Sequence, residues 1–332
     1  MPNSGTKDGS AGNSPTLRVL HSPEQWLAEL GEQRKFTAVT IGNFDGVHLG
    51  HQRILRGVAE RSLETDTTSA VLTFYPHPAR ILRPEHAPPL LMTLSQRLRA
   101  FESAGIDAAL VLPFDAELAK VNAEEFVRRF LVETLRARTV MVGANFRFGH
   151  KQAGDVKLLE ELGLRWDFEV QTVPPVVLDG TVVSSTAVRN AVREGEMELA
   201  ARLLGRPFAL AGEIKTGTGQ GRKLVVPTLN LATEQECLPK YGVYATETVV
   251  GGKTYRSATN IGVRPTFDGH RLAIESHLFE FSDSLTGGPM EVRFWKRLRD
   301  ERKFSGPEAL REQVLRDISE AQAYFATLSQ RR

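Results

Sequence analysis

Between Gly42 and His51 the chain reads Gly-Asn-Phe-Asp-Gly-Val-His-Leu-Gly-His. The run leaves an apolar segment of strand character and enters one of helical periodicity. Gly42, Gly46 and Gly50 let the backbone turn tightly and approach a phosphate, and a helix N-terminus offers unpaired N–H groups and a positive dipole end. His48 and His51, three apart with Gly50 between them, can face one bound triphosphate. Their N–H donors suit the charge that develops when the bond between its α- and β-phosphates breaks, and neither ring needs a covalent link. A lone histidine is more often structural; two at a strand-to-helix turn are uncommon by chance.

Other polar groups follow apolar runs. His77 sits in the stiff turn Tyr75-Pro76-His77-Pro78. Asn145 and Arg147 offer an amide and a fixed cation after another strand candidate. Ser184, Ser185 and Thr186 open a helix and can present hydroxyls and N–H groups to phosphate, with Arg189 about one turn on; a simple helix cap is the alternative. Gly217–Lys223 is a glycine-rich basic loop containing Gly219, Arg222 and Lys223, although such loops often serve only as turns. Glu275 and His277 alternate with Ile274 and Leu278, which gives that segment one polar face. An exposed, salt-bridged Glu275 would look the same.

The elements that must carry these groups fall into two patterns. Phe36–Ile41, Ala70–Phe74, Ala108–Leu112, Val140–Gly143 and Phe168–Val173 are predicted strands. His51–Arg61, Ser95–Ala104, Ala123–Leu135 and Asp155–Leu162 are predicted helices, the third capped by Asn122 with Glu125 at the capping-box position. Such alternation implies a parallel sheet covered by helices, with ligands at the carboxyl ends of its strands. A helical stretch, Thr186–Leu204, leads to Gly205-Arg206-Pro207, where the pattern changes. Phe208–Lys215, Gly242–Val250, Lys253–Asn260, Ala273–Phe281 and Glu291–Leu298 are strand candidates, with Gly251-Gly252 as a hairpin turn. They imply a small closed barrel. A last helix from Ser305, with Glu308 in a capping box, lays Leu310, Val314, Ile318, Ala321 and Phe325 on it.

A chain of 332 residues exceeds one comfortable core, so two domains are expected. Its 42 basic residues nearly balance 40 acidic ones, a net charge of +2 that argues against nucleic acid as the main partner. The single cysteine, Cys237, rules out an intrachain disulfide and a Cys-rich zinc site, and reads as a small half-buried thiol. Met1–Pro15 is polar and reads as a disordered leader; no window is long and apolar enough for a membrane span. The cytoplasm is the default location, and self-association into a homo-oligomer is left open.

The run from Gly42 to Gln52 resembles that of the adenylyltransferase superfamily, which includes class I aminoacyl-tRNA synthetases. Within it, the longer match is similar to the prokaryotic bifunctional riboflavin kinase/FMN adenylyltransferases, or FAD synthetases. The resemblance continues at Thr73–Pro78, Val142–Gly149 and Val183–Arg189. In the C-terminal half it includes Pro227-Thr228-Leu229-Asn230, Asn260–Phe267 and Ile274–Leu278. It implies a fold of class α/β plus β: a Rossmann-like nucleotidyltransferase domain with a parallel sheet, then a small antiparallel β-barrel with a terminal helix. The expected division is a leader at 1–15, an adenylyltransferase domain at 16–187, a linker helix at 188–206 and a kinase barrel at 207–332.

By this resemblance ATP phosphorylates riboflavin to FMN in the barrel, and a second ATP adenylylates FMN to FAD in the first domain, with Mg²⁺ on the phosphates. His48, His51, Asn145 and Arg189 would be catalytic for adenylyl transfer, and Glu275 the general base of the kinase. Gly42, Asn43, Phe44, Asp45, Gly46, Gly50, His77, Arg147, Ser184, Ser185 and Thr186 would bind nucleotide or flavin in the first domain. Gly219, Arg222, Lys223 and Asn260 would do so in the barrel, where Thr228 and Asn230 hold Mg²⁺. Arg299 and Glu301 also echo the family, as would a solvated charge run. One departure stands out: Val225, Val226 and Leu229 replace the family's Gly-aromatic and Ala around Pro-Thr. Valine resists positive φ, and Leu229 would add bulk beside the metal ligands. The alternative is therefore an FMN adenylyltransferase whose barrel binds flavin with little kinase activity. Pantetheine-phosphate or nicotinate-mononucleotide adenylyltransferases do not need such a barrel, and a non-enzymatic flavin- or RNA-binding regulator need not keep both reacting centres.

Overall fold

The computed structural model describes residues 16–30, 35–215, 227–266, 269–282 and 285–329. The expected leader therefore lies outside the described residues, as do Val225, Val226 and the basic loop with Gly219, Arg222 and Lys223. The chain forms two compact units that interleave along the sequence. One takes the residues up to Asn43, Ile54–Leu82 and Leu98–Val173; the other takes Phe44–Arg53, Arg83–Arg97 and the residues from Pro174 on.

The first unit is built on six strands: β1 (Arg18–Leu20), β2 (Thr37–Ile41), β3 (Thr68–Tyr75), β4 (Ala108–Pro113), β5 (Ala137–Gly143) and β6 (Glu169–Val173). They lie in the order β1-β4-β3-β2-β5-β6, and every neighbouring pair is parallel. β2 is buried along its whole length and β3 and β4 over most of theirs, as strands of a parallel sheet are when helices cover both faces. The intervening helices are α1 (Pro23–Leu30), α2 (Leu49–Glu64), α3 (Pro78–Leu82), α4 (Leu94–Ser103), α5 (Ala123–Phe126) and α6 (Val156–Trp166). The Asn122 side chain caps α5 by accepting from the Glu125 N–H at 2.8 Å. The helix predicted to Leu135 widens after Phe126 into a π-helical stretch, Val127–Thr134, which buries Val127, Phe130, Leu131 and Thr134. Because β3 lies on one side of β2 and β5 on the other, the strand order reverses at the carboxyl end of β2. Open parallel sheets bind ligands at such a point.

The second unit carries a short hairpin of β7 (Val177–Leu178) and β8 (Thr181–Val182), then α7 (Ser185–Glu194) and α8 (Met197–Leu204). The helix predicted over Thr186–Leu204 is thus two helices. Gly195, at φ +80, ends α7 and turns the chain before α8 begins. Six strands follow: β9 (Phe208–Lys215), β10 (Leu229–Thr233), β11 (Gly242–Val250), β12 (Lys253–Thr266), β13 (Gly269–Leu278) and β14 (Pro289–Asp300). They close an antiparallel barrel in the order β10-β13-β12-β11-β14-β9. Gly251 and Gly252, at φ 55 and 74, supply the two left-handed residues of the β11–β12 hairpin. The barrel's Phe208, Tyr244, Ile261, Ile274 and Phe294 share one apolar core with Val188 of α7 and Leu203 of α8. The last helix, α9 (Pro307–Ser329), begins two residues later than predicted and buries Ala321 and Phe325 against Ala245 and Ala258. No helix among the described residues is long and apolar enough to cross a membrane.

Candidate functional site

In the first unit, three strand ends gather polar groups. Gly42 and Asn43 follow β2, and the Gly42 N–H donates to the Leu72 carbonyl of β3 at 3.1 Å. His77 follows β3, where its Nδ1 accepts from the Ala79 N–H at 3.2 Å. Asn145 and Arg147 lie exposed in the turn after β5, with Arg147 3.4 Å from Asp155. Adjacent strands stand about 4.8 Å apart, so the β3, β2 and β5 ends fall within roughly 10 Å of one another.

In the second unit, the loop ahead of α2 holds the paired histidines. Their rings stack with centroids 3.7 Å apart and 19° between planes, and Phe44 meets His51 edge-on at 5.1 Å. The His51 N–H points to His48 Nδ1 at 3.4 Å, which assigns the proton of a neutral His48 to Nε2. His51 Nδ1 is buried without a hydrogen-bond partner among the described residues. Burial, reinforced by the Arg206 and Arg189 cations, pulls the His48 pKa down to about 4. Burial, then the neighbouring His48, holds His51 well below the ordinary imidazole range. Both rings are therefore neutral near pH 7: donors rather than fixed cations. A Cβ at Gly50 would come 3.2 Å from the His48 ring, a tight contact that the ring would have to relieve by a small shift.

The loop takes an uncommon path. Phe44, Gly46 and Val47 have φ of 52, 87 and 40, and each non-glycine residue so placed costs of order 1–3 kcal/mol. Asp45, 3% exposed, anchors it. Its carboxylate accepts from the Leu91 N–H at 3.0 Å and the Met92 N–H at 3.2 Å, and pairs with Arg189 Nη2 at 2.6 Å. Arg189 Nε also donates to the Pro89 carbonyl at 2.9 Å. The Ser185 hydroxyl donates to the Asp45 carbonyl at 2.8 Å. Ser184 is the α7 cap, accepting from the Ala187 N–H at 3.2 Å, and Thr186 is exposed in the first turn. α7 therefore opens against the histidine loop.

The barrel has its own polar face. Asn230 of β10 is in register with Glu275 of β13, and Glu275 with Asn260 of β12. Three neighbouring strands so present the three residues in one row. Ile274, Ser276 and Leu278 are buried, which leaves Glu275 and His277 on the other face, as the alternation predicts. The adjacent registered pair, Thr259 and Ser276, is fully buried and joined hydroxyl to hydroxyl at 2.8 Å, a contact that a one-residue slip would lose. His277 Nδ1 lies 2.9 Å from the Pro227 carbonyl and so ties down the start of Pro227-Thr228, where Thr228 is exposed.

The family model for FAD synthetase matches residues 31–187, and that for riboflavin kinase matches 204–325. The bifunctional riboflavin kinase/FMN adenylyltransferase of Pseudomonas fluorescens is 38% identical over 92% of this chain and 98% of its own. The chain belongs to this family. The Escherichia coli K12 member is 36% identical over 86% of this chain and 92% of its own. A solved Streptococcus pneumoniae structure, described as a macrolide-efflux protein, aligns with a TM-score of 0.79 at 28% identity. It covers 86% of this chain and 94% of that one, and so shares the two-part architecture.

Two placements differ from the expectation, and a third, left open, is decided. Arg189 forms a buried ion pair with Asp45, so its charge is already matched. Leu229, expected to add bulk beside Thr228 and Asn230, is half-buried and packs against the barrel core, while alternation along β10 sends Asn230 the other way. Arg299, left open between family residue and charge run, chelates the buried Asp317 of α9 at 2.7 and 2.8 Å. What the sequence missed are the loop's supports. Arg206 donates to the Gly46 and Val47 carbonyls at 2.8 and 3.0 Å, and Gln52 Nε2 to the Val47 and Leu204 carbonyls at 2.8 and 2.6 Å. In the sequence, Arg206 stood only as punctuation between a glycine and a proline. Cys237, expected to be half-buried, is fully buried, and burial pushes its thiol up to about 12.

Proposed function

We propose that the family's two reactions are divided between the histidine loop and the Asn230–Glu275–Asn260 face. The first adenylylates FMN; the second phosphorylates riboflavin. The observation that carries the reading is the stacked, neutral His48–His51 pair at the start of α2, on the loop that leaves the central strand. Two uncharged N–H donors at a helix N-terminus suit a triphosphate whose α–β bridge takes up charge in the transition state. The FMN phosphate attacks the α-phosphorus of ATP, pyrophosphate leaves, and His48 and His51 bind the oxygens that gain charge. Asn145 and His77, at neighbouring strand ends, are assigned to nucleotide and flavin. Arg189 acts through Asp45, as the partner that fixes the loop.

In the barrel, Glu275 takes the proton from the 5′-hydroxyl of riboflavin as that oxygen attacks the γ-phosphorus of ATP, the β–γ bridge breaks and ADP leaves. Asn260 and Asn230, in register on either side, orient the reacting groups. Thr228 and Asn230 offer a hydroxyl and an amide oxygen, hard donors that suit Mg²⁺ arriving with ATP and leave its other positions to phosphate and water. When bound, the ion supplies charge neutralisation at the phosphates. With Leu229 packed against the core, the residue next to these donors gives no steric reason for a silent kinase. The chemistry of 16–187 and 207–332, joined through 188–206, belongs in the cytoplasm, where ATP and riboflavin meet.

The test is a product assay on the whole chain, with FMN and FAD resolved chromatographically. Glu275→Ala should abolish FMN formation from riboflavin and leave FMN-to-FAD conversion intact. His48→Ala should do the reverse. Joint loss of both activities in a folded variant of either kind would show that the labour is not divided this way.

A further inference from the structure

The histidine loop does not hold itself. Its left-handed residues, Phe44, Gly46 and Val47, form a path that persists only where the surroundings over-determine it. Besides Asp45 and Gln52, two side chains from beyond α8 contribute to that constraint, and neither was expected to touch this chemistry. The Arg206 guanidinium, between α8 and β9, donates to the Gly46 carbonyl at 2.8 Å and the Val47 carbonyl at 3.0 Å. One planar fork thus fixes the two peptide units directly before His48. It also reaches the Leu204 carbonyl at 3.2 Å, which ties the clamp to the end of α8.

Gln235 works one step further back. It lies just past β10, 5% exposed, and its amide satisfies three backbone groups. Nε2 donates to the Leu91 carbonyl at 2.8 Å and the Ala209 carbonyl at 3.1 Å, while Oε1 accepts from the Ala211 N–H at 2.7 Å. Leu91 is thereby pinned to β9 through its carbonyl, and its N–H is the group that Asp45 accepts. The line runs from barrel strand to Gln235, to Leu91, to Asp45, to the histidine loop. Beside it the Cys237 N–H donates to the Leu90 carbonyl at 3.1 Å.

We propose that Arg206 and Gln235 are positioning residues for adenylyl transfer: side chains from the riboflavin kinase-matching segment that hold the histidine loop of the FAD synthetase-matching segment in its working shape. The inference rests on the reading of His48 and His51 given above. Neither side chain is placed at a reacting atom. Their contribution is to the geometry of the two rings, and displacement of about 1 Å at such a site costs on the order of 100-fold in rate. A residue that only stabilised the fold would lower both activities, or the amount of folded protein. A positioning residue lowers one turnover number.

The experiment uses the full-length chain and measures kcat and KM for FMN-to-FAD conversion beside the riboflavin kinase rate. Arg206→Met removes both carbonyl contacts and should lower the FAD-forming kcat roughly 100-fold, with KM for FMN and the kinase rate changed by no more than about two-fold. Arg206→Lys keeps a donor for one carbonyl and should recover to within about ten-fold of the parent. Gln235→Met, near in volume but without the amide, should lower the same kcat about ten-fold or more and spare the kinase. His48→Ala is run alongside. If it leaves FAD formation intact, the site reading itself fails. If it abolishes FAD formation while Arg206→Met and Gln235→Met keep the parent kcat, the positioning inference alone is overturned. Parallel loss of both activities in both variants also overturns it.

Discussion

Replacing Asp45 by Asn tests whether the histidine loop is anchored by charge or merely by shape. Asp45 and Arg189 meet at 2.6 Å with side chains 4% and 11% exposed. At an effective dielectric constant near 20 their gross attraction is roughly 6 kcal/mol, most of it offset by the desolvation of both ions. The net worth of the pair is therefore small, but the cost of removing one partner is not. Asn keeps one oxygen for the Leu91 and Met92 N–H groups, yet its NH₂ must then face the guanidinium, leaving a buried cation unmatched. Asp45→Asn should cost about 3–5 kcal/mol, a large part of a typical stability of roughly 5–15 kcal/mol. Arg189→Met leaves the carboxylate with its two backbone donors and should cost less, about 1.5–3 kcal/mol. The double variant has no orphan charge. It should be more stable than the sum of the single losses by about 2 kcal/mol, in urea titrations of all four proteins. Additivity within about 0.5 kcal/mol would refute the claim that the carboxylate is there for the arginine.

Two further outcomes follow from the same packing. Native His48 titrates near 4 against an ordinary 6.5, so between those values the unfolded chain binds a proton that the folded one refuses. Its contribution is complete above pH 6.5 and declines as pH falls to 4, by roughly 3 kcal/mol, with His51 acting in the same direction. Urea midpoints from pH 7 to 4.5 should fall less steeply in His48→Asn; equal slopes would contradict the burial of that ring. Gly212→Ala places a Cβ 1.8 Å from the Ala232 carbonyl oxygen, a backbone atom, and must part β9 from β10. It should cost about 1–3 kcal/mol or more and reduce the kinase rate by loosening the strand that carries Asn230; an unchanged melting temperature would speak against that pairing.

What the sequence made legible were the local patterns. β9 and β11 end where their alternation and flanking turn residues say they should, and the Asn122 cap was readable from four residues. Short or weakly patterned elements escaped: β1 has three residues, and β10, Leu-Asn-Leu-Ala-Thr, lies just after a proline and a threonine that attracted notice for their chemistry instead. The candidate site divides along the same line. The groups assigned to the chemistry stand in recognisable runs, because each must sit at a strand end or on one face of a strand, and period and punctuation encode that. The groups that hold them do not. Asp45 and Arg189 are 144 residues apart, and Arg206 reaches Gly46 across 160. Nothing local marks a cation that will clamp two distant carbonyls, since its partners are peptide groups that every residue carries. This is why Asp45, read as part of a phosphate loop, proves to be the loop's anchor, and why a residue that looked like a boundary marker fixes the shape of the motif. A motif read from sequence names the donors; their distances and protonation are set by residues with no motif of their own.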